Sequence, residues 1–179
     1  GPLGSARGDD GPTVVMATGP TGTWPAVAAV VVVPWPRNER SPVAGLKTTS
    51  YAENVVALAH ATERGAGEAL FANLAGNLCE GTGSNIFVGL GGRLVTPPLS
   101  SGCLAGITRE LVLETTDAVE ADVTMDDFAH ADEAFLTSST RDVQPISTVD
   151  GRALPECPGP LSMAATDAFA ALLALTLDP

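Results

Sequence analysis

Apolar residues along the chain fall into short runs punctuated by glycine and proline, and the spacing inside those runs changes from strand-like to helical and back. Thr13 to Ala17 and Ala26 to Val33 are rich in valine and bounded by Gly/Pro clusters, as strands are, and the second is apolar enough to be buried on both faces. Pro34, Pro36 and Pro42 then break regular structure. Ser50 is placed to cap a helix whose apolar positions Val55, Val56, Leu58 and Ala59 recur near helical spacing, with Thr62 on the same face, and which ends before Gly65 and Gly67.

Shorter strand-like pieces follow: Ala69 to Asn73, Leu78 to Glu80, Asn85 to Leu90 and Arg93 to Thr96, with turns at Gly76-Asn77 and Gly91-Gly92. They read as an antiparallel meander that Pro97-Pro98 ends. Ile107 to Leu113 has helical periodicity, and a short acidic helix runs near Met125 to His130. Glu133 to Leu136 reads as a strand that delivers Thr137-Ser138-Ser139-Thr140 to a turn. Asp150-Gly151 makes a later hairpin, and Ser162 to Leu175 is an Ala/Leu-rich amphipathic helix.

Composition narrows the partners. A chain of 179 residues, 45% hydrophobic against 17% charged, is globular and long enough for a real core. Its net charge of -12 repels a phosphate backbone at long range, which argues against nucleic acid and anionic membrane as partners. No apolar run reaches the roughly 20 residues of a membrane span. Cys79, Cys103 and Cys157 have no metal-type spacing and leave an odd thiol, a usage that fits a reducing cytoplasm. Gly1-Pro2-Leu3-Gly4-Ser5 has the look of a protease-cleavage scar from a tag, the alternative being a native glycine-rich loop, and the first methionine is Met16.

The candidate chemistry centres on Lys47, the only lysine beside eight arginines. Arginine stays protonated, whereas a desolvated lysine can be neutral, nucleophilic and able to form a Schiff base. Glu80 ends a strand just before the glycine-rich turn Gly81-Thr82-Gly83, where a carboxylate can face a ligand. Gly106-Ile107-Thr108 opens a helix, whose free backbone N–H groups and dipole suit an anion such as phosphate. Ser138, Ser139 and Thr140 add hydroxyl donors. One amine, one strand-end carboxylate and an anion cup are the parts that pyridoxal phosphate needs. His60 and His130 read as structural, and Arg109, Arg141 and Asp142 are polar residues beside the candidate site. No Ser-His-Asp, metal-binding or dinucleotide motif is present in the sequence.

The ordered series Leu46-Lys47-Thr48-Thr49-Ser50-Tyr51-Ala52-Glu53-Asn54, Cys79-Glu80-Gly81-Thr82-Gly83-Ser84-Asn85-Ile86-Phe87, Thr96-Pro97-Pro98, Gly102-Cys103-Leu104-Ala105-Gly106-Ile107-Thr108-Arg109 and Leu136-Thr137-Ser138-Ser139-Thr140 resembles the class IV, fold-type IV pyridoxal-phosphate enzymes. That group includes branched-chain aminotransferases, D-amino-acid aminotransferases and aminodeoxychorismate lyases. The resemblance implies the larger, cofactor-binding domain of such an enzyme: an α+β fold with a mixed or antiparallel, barrel-like sheet flanked by helices over residues 13–179. Residues 1–12 are then a tag scar or interdomain segment, and the family's smaller amino-terminal domain is cut away or on another chain. It implies that Lys47 binds the pyridoxal phosphate aldehyde and shuttles protons, and that Glu80 pairs with the pyridine nitrogen. Tyr51 approaches the phenolic oxygen, and the backbone of Gly106, Ile107 and Thr108, with the hydroxyls of Ser139 and of Ser138 or Thr140, forms the phosphate cup. The general look of the chain, with Asn38-Glu39-Arg40 ahead of the lysine segment, is closest to aminodeoxychorismate lyase-like members. These convert 4-amino-4-deoxychorismate to 4-aminobenzoate and pyruvate in folate synthesis. An aminotransferase acting on D- or branched-chain amino acids is the alternative, and a cofactor-binding domain without turnover is a third reading. A homodimer acting on a small amino substrate is expected by the same resemblance.

Overall fold

The structure is a computed structural model that describes residues 14–20 and 22–175, so the segment 1–12 lies outside the described residues. Its centre is β1 (Ala28–Val32), the valine-rich run. Ala28 and Val30 pack with Leu70, Ile86 and Ile146 on one face, while Val31 and Val33 pack with Ala57, Ala61 and Phe71 on the other. A strand covered on both faces pairs in parallel, and β1 does so on both edges, with β2 (Glu68–Ala72) and with β8 (Asp142–Val149). The remaining pairings are antiparallel or short. β3 (Leu78–Gly81) flanks β2, and β7 (Glu133–Ser138) joins β8 to β4 (Asn85–Leu90). Beyond β4 lie β5 (Arg93–Thr96) and β6 (Val119–Glu120), while β9 (Arg152–Ala153) pairs with β8 through a hairpin at Asp150 (φ 50) and Gly151 (φ 76).

The strand order β3-β2-β1-β8-β7-β4-β5-β6 carries a geometric demand. β3 and β4 stand five strand steps apart in the sheet, about 24 Å along a flat one, yet only Thr82–Ser84 join them. Four Cα–Cα steps span at most about 15 Å, so the sheet curls until its edge returns to β4. This barrel-like curl is what the sequence lacks as a signal. The expected meander is therefore corrected: β2–β3 and β4–β5 are antiparallel pairs, but β4 takes β7 as its other neighbour instead of β3.

Helices cover the outside. α1 (Ala52–Thr62) begins after Tyr51 without a side-chain cap, so Ser50 is not its cap. The face is also corrected: Ala57 and Ala61 are buried against β1 and β2, while Val55, Val56 and Leu58 point outward at 62%, 55% and 38% exposure. Alanine lets the helix sit close to the sheet, and the larger apolar residues form a separate, outer stripe. α2 (Ile107–Thr115) and α4 (Pro160–Leu175) pack over Phe87 and Phe135 through Leu111, Val112, Ala165 and Phe169. α3 (Met125–Ala129) carries a capping box between Thr124 and Asp127. Of the expected strand Thr13 to Ala17, Thr13 lies outside the described residues and Val14 to Ala17 forms no strand and is exposed, a further correction; its valines have no partner strand among the described residues. No helix among the described residues is long and apolar enough to cross a membrane.

Candidate active site

Lys47 lies in the loop between β1 and α1, four residues before Tyr51, which is the last residue before the helix. The turn brings the two side chains together, and Lys47 Nζ donates to Tyr51 Oη at 2.9 Å. Both are exposed. Gly45, at φ 72, sets the approach to this segment, and a Cβ there would stand 3.7 Å from the carbonyl oxygen of Cys103. The lysine segment therefore lies against the chain leading into α2.

Glu80 sits opposite Phe71 on β3 with its side chain 13% exposed. Oε2 accepts from the Leu104 N–H at 2.9 Å, and Oε1 lies 3.3 Å from Nε of Arg37. That contact is an ion pair without a directed hydrogen bond, since Arg37 Nε has no hydrogen-bond partner among the described residues. Each carboxylate oxygen keeps a lone pair for a further donor. Burial pushes the Glu80 carboxyl above the usual carboxylate range, the Leu104 N–H, Arg37 and Lys47 pull it back, and Glu68 adds to the rise.

Arg37 is a residue that sequence reasoning missed. Its guanidinium lies 4.1 Å from the Phe71 ring centroid, donates to Asn54 Oδ1 at 2.7 Å and to Glu53 Oε2 at 3.3 Å. It thus ties Glu80 to the helix that follows Lys47. Asn54 in turn donates to the Thr82 carbonyl at 2.9 Å. The available signal was an arginine closing an apolar strand, and it is weak alone.

Leu104 is the junction of the other half. Its N–H serves Glu80, and its carbonyl accepts from Asn85 Nδ2 at 2.8 Å and from the Gly106 N–H at 2.9 Å. Gly106 opens α2 with no side-chain cap, and a Cβ there would meet Asn85 Oδ1 at 2.1 Å, so any larger residue has to displace the Asn85 side chain. Ile107 is exposed and Thr108 buried. Thr137 pairs with Asn85 across β7 and β4 and shares the register of Phe135, on the side α2 covers. Thr137 Oγ1 and Ser138 Oγ are buried without a hydrogen-bond partner among the described residues. β7 runs through Ser138, so of the predicted turn run only Ser139 and Thr140 lie in the loop, where they are exposed. Asp142, at φ 55, closes that loop in the left-handed region that aspartate tolerates.

A second missed residue is Glu68, fully buried at the start of β2. Oε1 accepts from the N–H groups of Ala69 and Thr82, each at 3.0 Å, and from the Thr82 hydroxyl. Oε2 accepts from Ser84 Oγ at 3.0 Å and from Arg141 at 2.8 Å. An acid heading an apolar run was the signal in the sequence. Other candidates fall away as ligands. Arg109 is buried against the Pro97 carbonyl and Glu120, and Arg141 is taken up by Glu68, by Gln144 and by the Trp24 ring at 3.9 Å. His60 stands edge-on to Trp35, and His130 ends α3 beside Asp126. Burial raises the thiol pKa of both Cys79 and Cys103, which keeps them protonated and unreactive.

Similarity to known proteins is extensive. Residues 3–149 match the family model described as Amino-transferase class IV. A branched-chain-amino-acid aminotransferase of Pseudomonas aeruginosa is 39% identical over 108 residues, covering 58% of this chain and 35% of that enzyme. The branched-chain amino acid aminotransferase of Thermobaculum terrenum, solved in its pyridoxal-phosphate form, superposes with a TM-score of 0.77 at 31% identity, over 82% of this chain and 51% of its own. A candidate 4-amino-4-deoxychorismate lyase of Legionella pneumophila gives a TM-score of 0.78 at 26% identity, over 87% of this chain and 58% of its own. The chain spans about half the length of these solved relatives.

Proposed function

The chain belongs to the class IV aminotransferase family, and from that premise we propose that it is the pyridoxal-phosphate-binding part of a lyase converting 4-amino-4-deoxychorismate to 4-aminobenzoate and pyruvate. The observation that carries the cofactor assignment is the junction at Leu104, which ties Glu80, Asn85 and the uncapped start of α2 to one residue. The donor set fits the cofactor. An exposed amine, an acceptor carboxylate with free lone pairs, an uncapped helix start and two uncommitted buried hydroxyls correspond to its aldehyde, ring nitrogen and phosphate.

In this reading Lys47 Nζ is the covalent anchor and the group that moves the substrate proton, with Tyr51 orienting it at 2.9 Å. Tyr51 would also meet the cofactor's phenolic oxygen. Glu80, held by Arg37 and Leu104, would accept from the ring nitrogen and hold a proton there. Ile107 and Thr108 would offer backbone N–H groups to the phosphate, joined by the hydroxyls of Ser138, Ser139 and Thr140, while Gly106, whose own N–H is taken by the Leu104 carbonyl, would give the backbone room to approach it. Pyridoxal phosphate, when bound, supplies a ring that accepts the electrons released at the substrate α-carbon.

The lyase reaction is supported by the resemblance of the lysine segment and by the likeness to the Legionella protein over 87% of this chain. A second reading, an aminotransferase for branched-chain or D-amino acids, is supported by the 39% identity to the Pseudomonas enzyme. Product analysis separates them. Supplied with the amino-terminal half of a relative, the chain is expected to release 4-aminobenzoate and pyruvate from aminodeoxychorismate. An amino acid formed from a keto acid instead selects the aminotransferase, and cofactor uptake with neither product selects a binding domain without turnover. A cytoplasmic homodimer belongs to the same proposal. The outward stripe of Val55, Val56 and Leu58 on α1 supports it, and a monomer by sedimentation would remove it.

A further inference from the structure

We infer that Glu68, together with Arg141, is a positioning residue that locks the two loops bounding the candidate cofactor site into one geometry, and so sets how strongly the site favours a phosphate-bearing ligand. This deepens the proposed cofactor reading and rests on it. Glu68 touches both loops directly. Through Thr82 and Ser84 it holds the turn between Glu80 and Asn85; through Arg141 it holds the loop of Ser139 and Thr140 that follows Ser138 at the end of β7. Arg141 also closes back on that loop, its N–H donating to the Ser138 carbonyl at 3.2 Å. One carboxylate therefore joins the wall that bears the ring-nitrogen acceptor to the wall that bears the hydroxyl donors.

The arrangement is built to close tolerance. A Cβ on Gly81 would stand 2.3 Å from Ser84 Oγ and 3.2 Å from Glu68 Cδ, so the turn wraps the carboxylate tightly. Arg141 is sandwiched between this carboxylate, Gln144 and the face of Trp24, which leaves it one orientation. Stability alone is a poor account of such a cluster, because a buried ion pair usually gains no more than an apolar replacement would. What a fully satisfied buried network supplies is a single geometry. The hydroxyls of Thr137 and Ser138 are uncommitted beside it, so the network orders the loop without using up the donors.

The test compares pyridoxal phosphate with pyridoxal, which lacks the phosphate, on the whole chain. Affinities are read from the visible absorbance that appears when either aldehyde condenses with a lysine amine. In Glu68→Gln the affinity for pyridoxal phosphate is expected to fall roughly 10-fold to 100-fold, as for outer-shell partners elsewhere, while pyridoxal changes much less. Ser84→Ala, which removes one hydrogen bond and leaves no buried charge unpaired, shifts the same ratio in the same direction by a smaller factor and covers the case of a poorly folding Glu68 variant. Arg141→Lys partly restores what Arg141→Met loses. Hydrogen exchange should speed up together in residues 81–84 and 137–141 of Glu68→Gln. A variant with a lowered melting temperature but an unchanged ratio of the two affinities overturns the assignment alone. A parent chain in which the band does not depend on Lys47 overturns the cofactor reading and the assignment with it.

Discussion

The two ends of the barrel each bring a helix amino-terminus to β7, and they treat it in opposite ways. At the Glu133 end, the protein supplies its own anion: Glu133, buried, accepts from the N–H groups of Leu161 and Ser162 at 2.9 and 2.7 Å, at the start of α4. Gly159 and Gly89 leave room for that side chain, since a Cβ at Gly159 would stand 2.5 Å from the carboxylate carbon and one at Gly89 would stand 2.7 Å from Glu133 Cγ. At the Ser138 end, α2 starts at Gly106 with no side-chain cap, and the hydroxyls of Thr137 and Ser138 stand without partners among the described residues. A helix start that is filled from within is a structural joint. One that is kept open beside spare donors suits an anion from outside.

That contrast can be broken, most sharply at the amine. Lys47→Ala is expected to abolish the absorbance band formed with pyridoxal phosphate while leaving the melting temperature almost unchanged, because the side chain is exposed; a persisting band would remove Lys47 from the open end. Gly106→Ala comes next. The added methyl displaces Asn85, and with it the Leu104 carbonyl, so affinity for pyridoxal phosphate should drop by about tenfold or more. An unchanged dissociation constant would show that the start of α2 does not hold the phosphate.

Glu133→Ala probes the closed end and should give the reverse signature. Two buried N–H groups lose their acceptor, at about 1–3 kcal/mol each, which lowers the melting temperature by several degrees without changing the preference for phosphate-bearing ligands. A change in that preference would erase the distinction between the ends. The smallest expected effect is in pH dependence. Because burial raises the Glu80 carboxyl above 4.5, the folded state binds its proton more tightly than the unfolded chain does. The Glu80 contribution to stability is thus full below pH 4.5 and is lost as pH rises through the raised value. Denaturation curves across that window should show a flatter decline for Glu80→Gln, and identical slopes would mean that Glu80 titrates normally.

How much of this could be read from the chain differs by residue. The segment from Leu46 to Asn54 and the helix start at Gly106 are local features, and their spacing is visible without the fold. The α+β class and the barrel-like sheet expected from the family resemblance match the architecture. Glu68 was missed because an acid heading an apolar run is a weak signal and its partners lie 14, 16 and 73 residues away, meeting only after the sheet has curled. Arg37 was missed for a similar reason, since its work depends on Phe71, Glu80 and Asn54 converging around it. The α1 face was misread because periodicity reports that a stripe exists and not which stripe meets the sheet. Here the alanines face the sheet and the valines do not.

The double parallel pairing of β1 also orders events in time. Its first neighbour, β2, is reached within about forty residues of chain, but its second, β8, begins only at Asp142, and Ser147 bonds Ala28 across a separation of 119 residues. During synthesis the strand Ala28–Val32 therefore waits, with one bare edge, until the chain has been made through Val149. A five-residue apolar edge is a template for pairing with other chains. Chains stopped before Asp142 should aggregate more readily than chains stopped after Val149, although both lack α4, which makes the late strand the guardian of the early one.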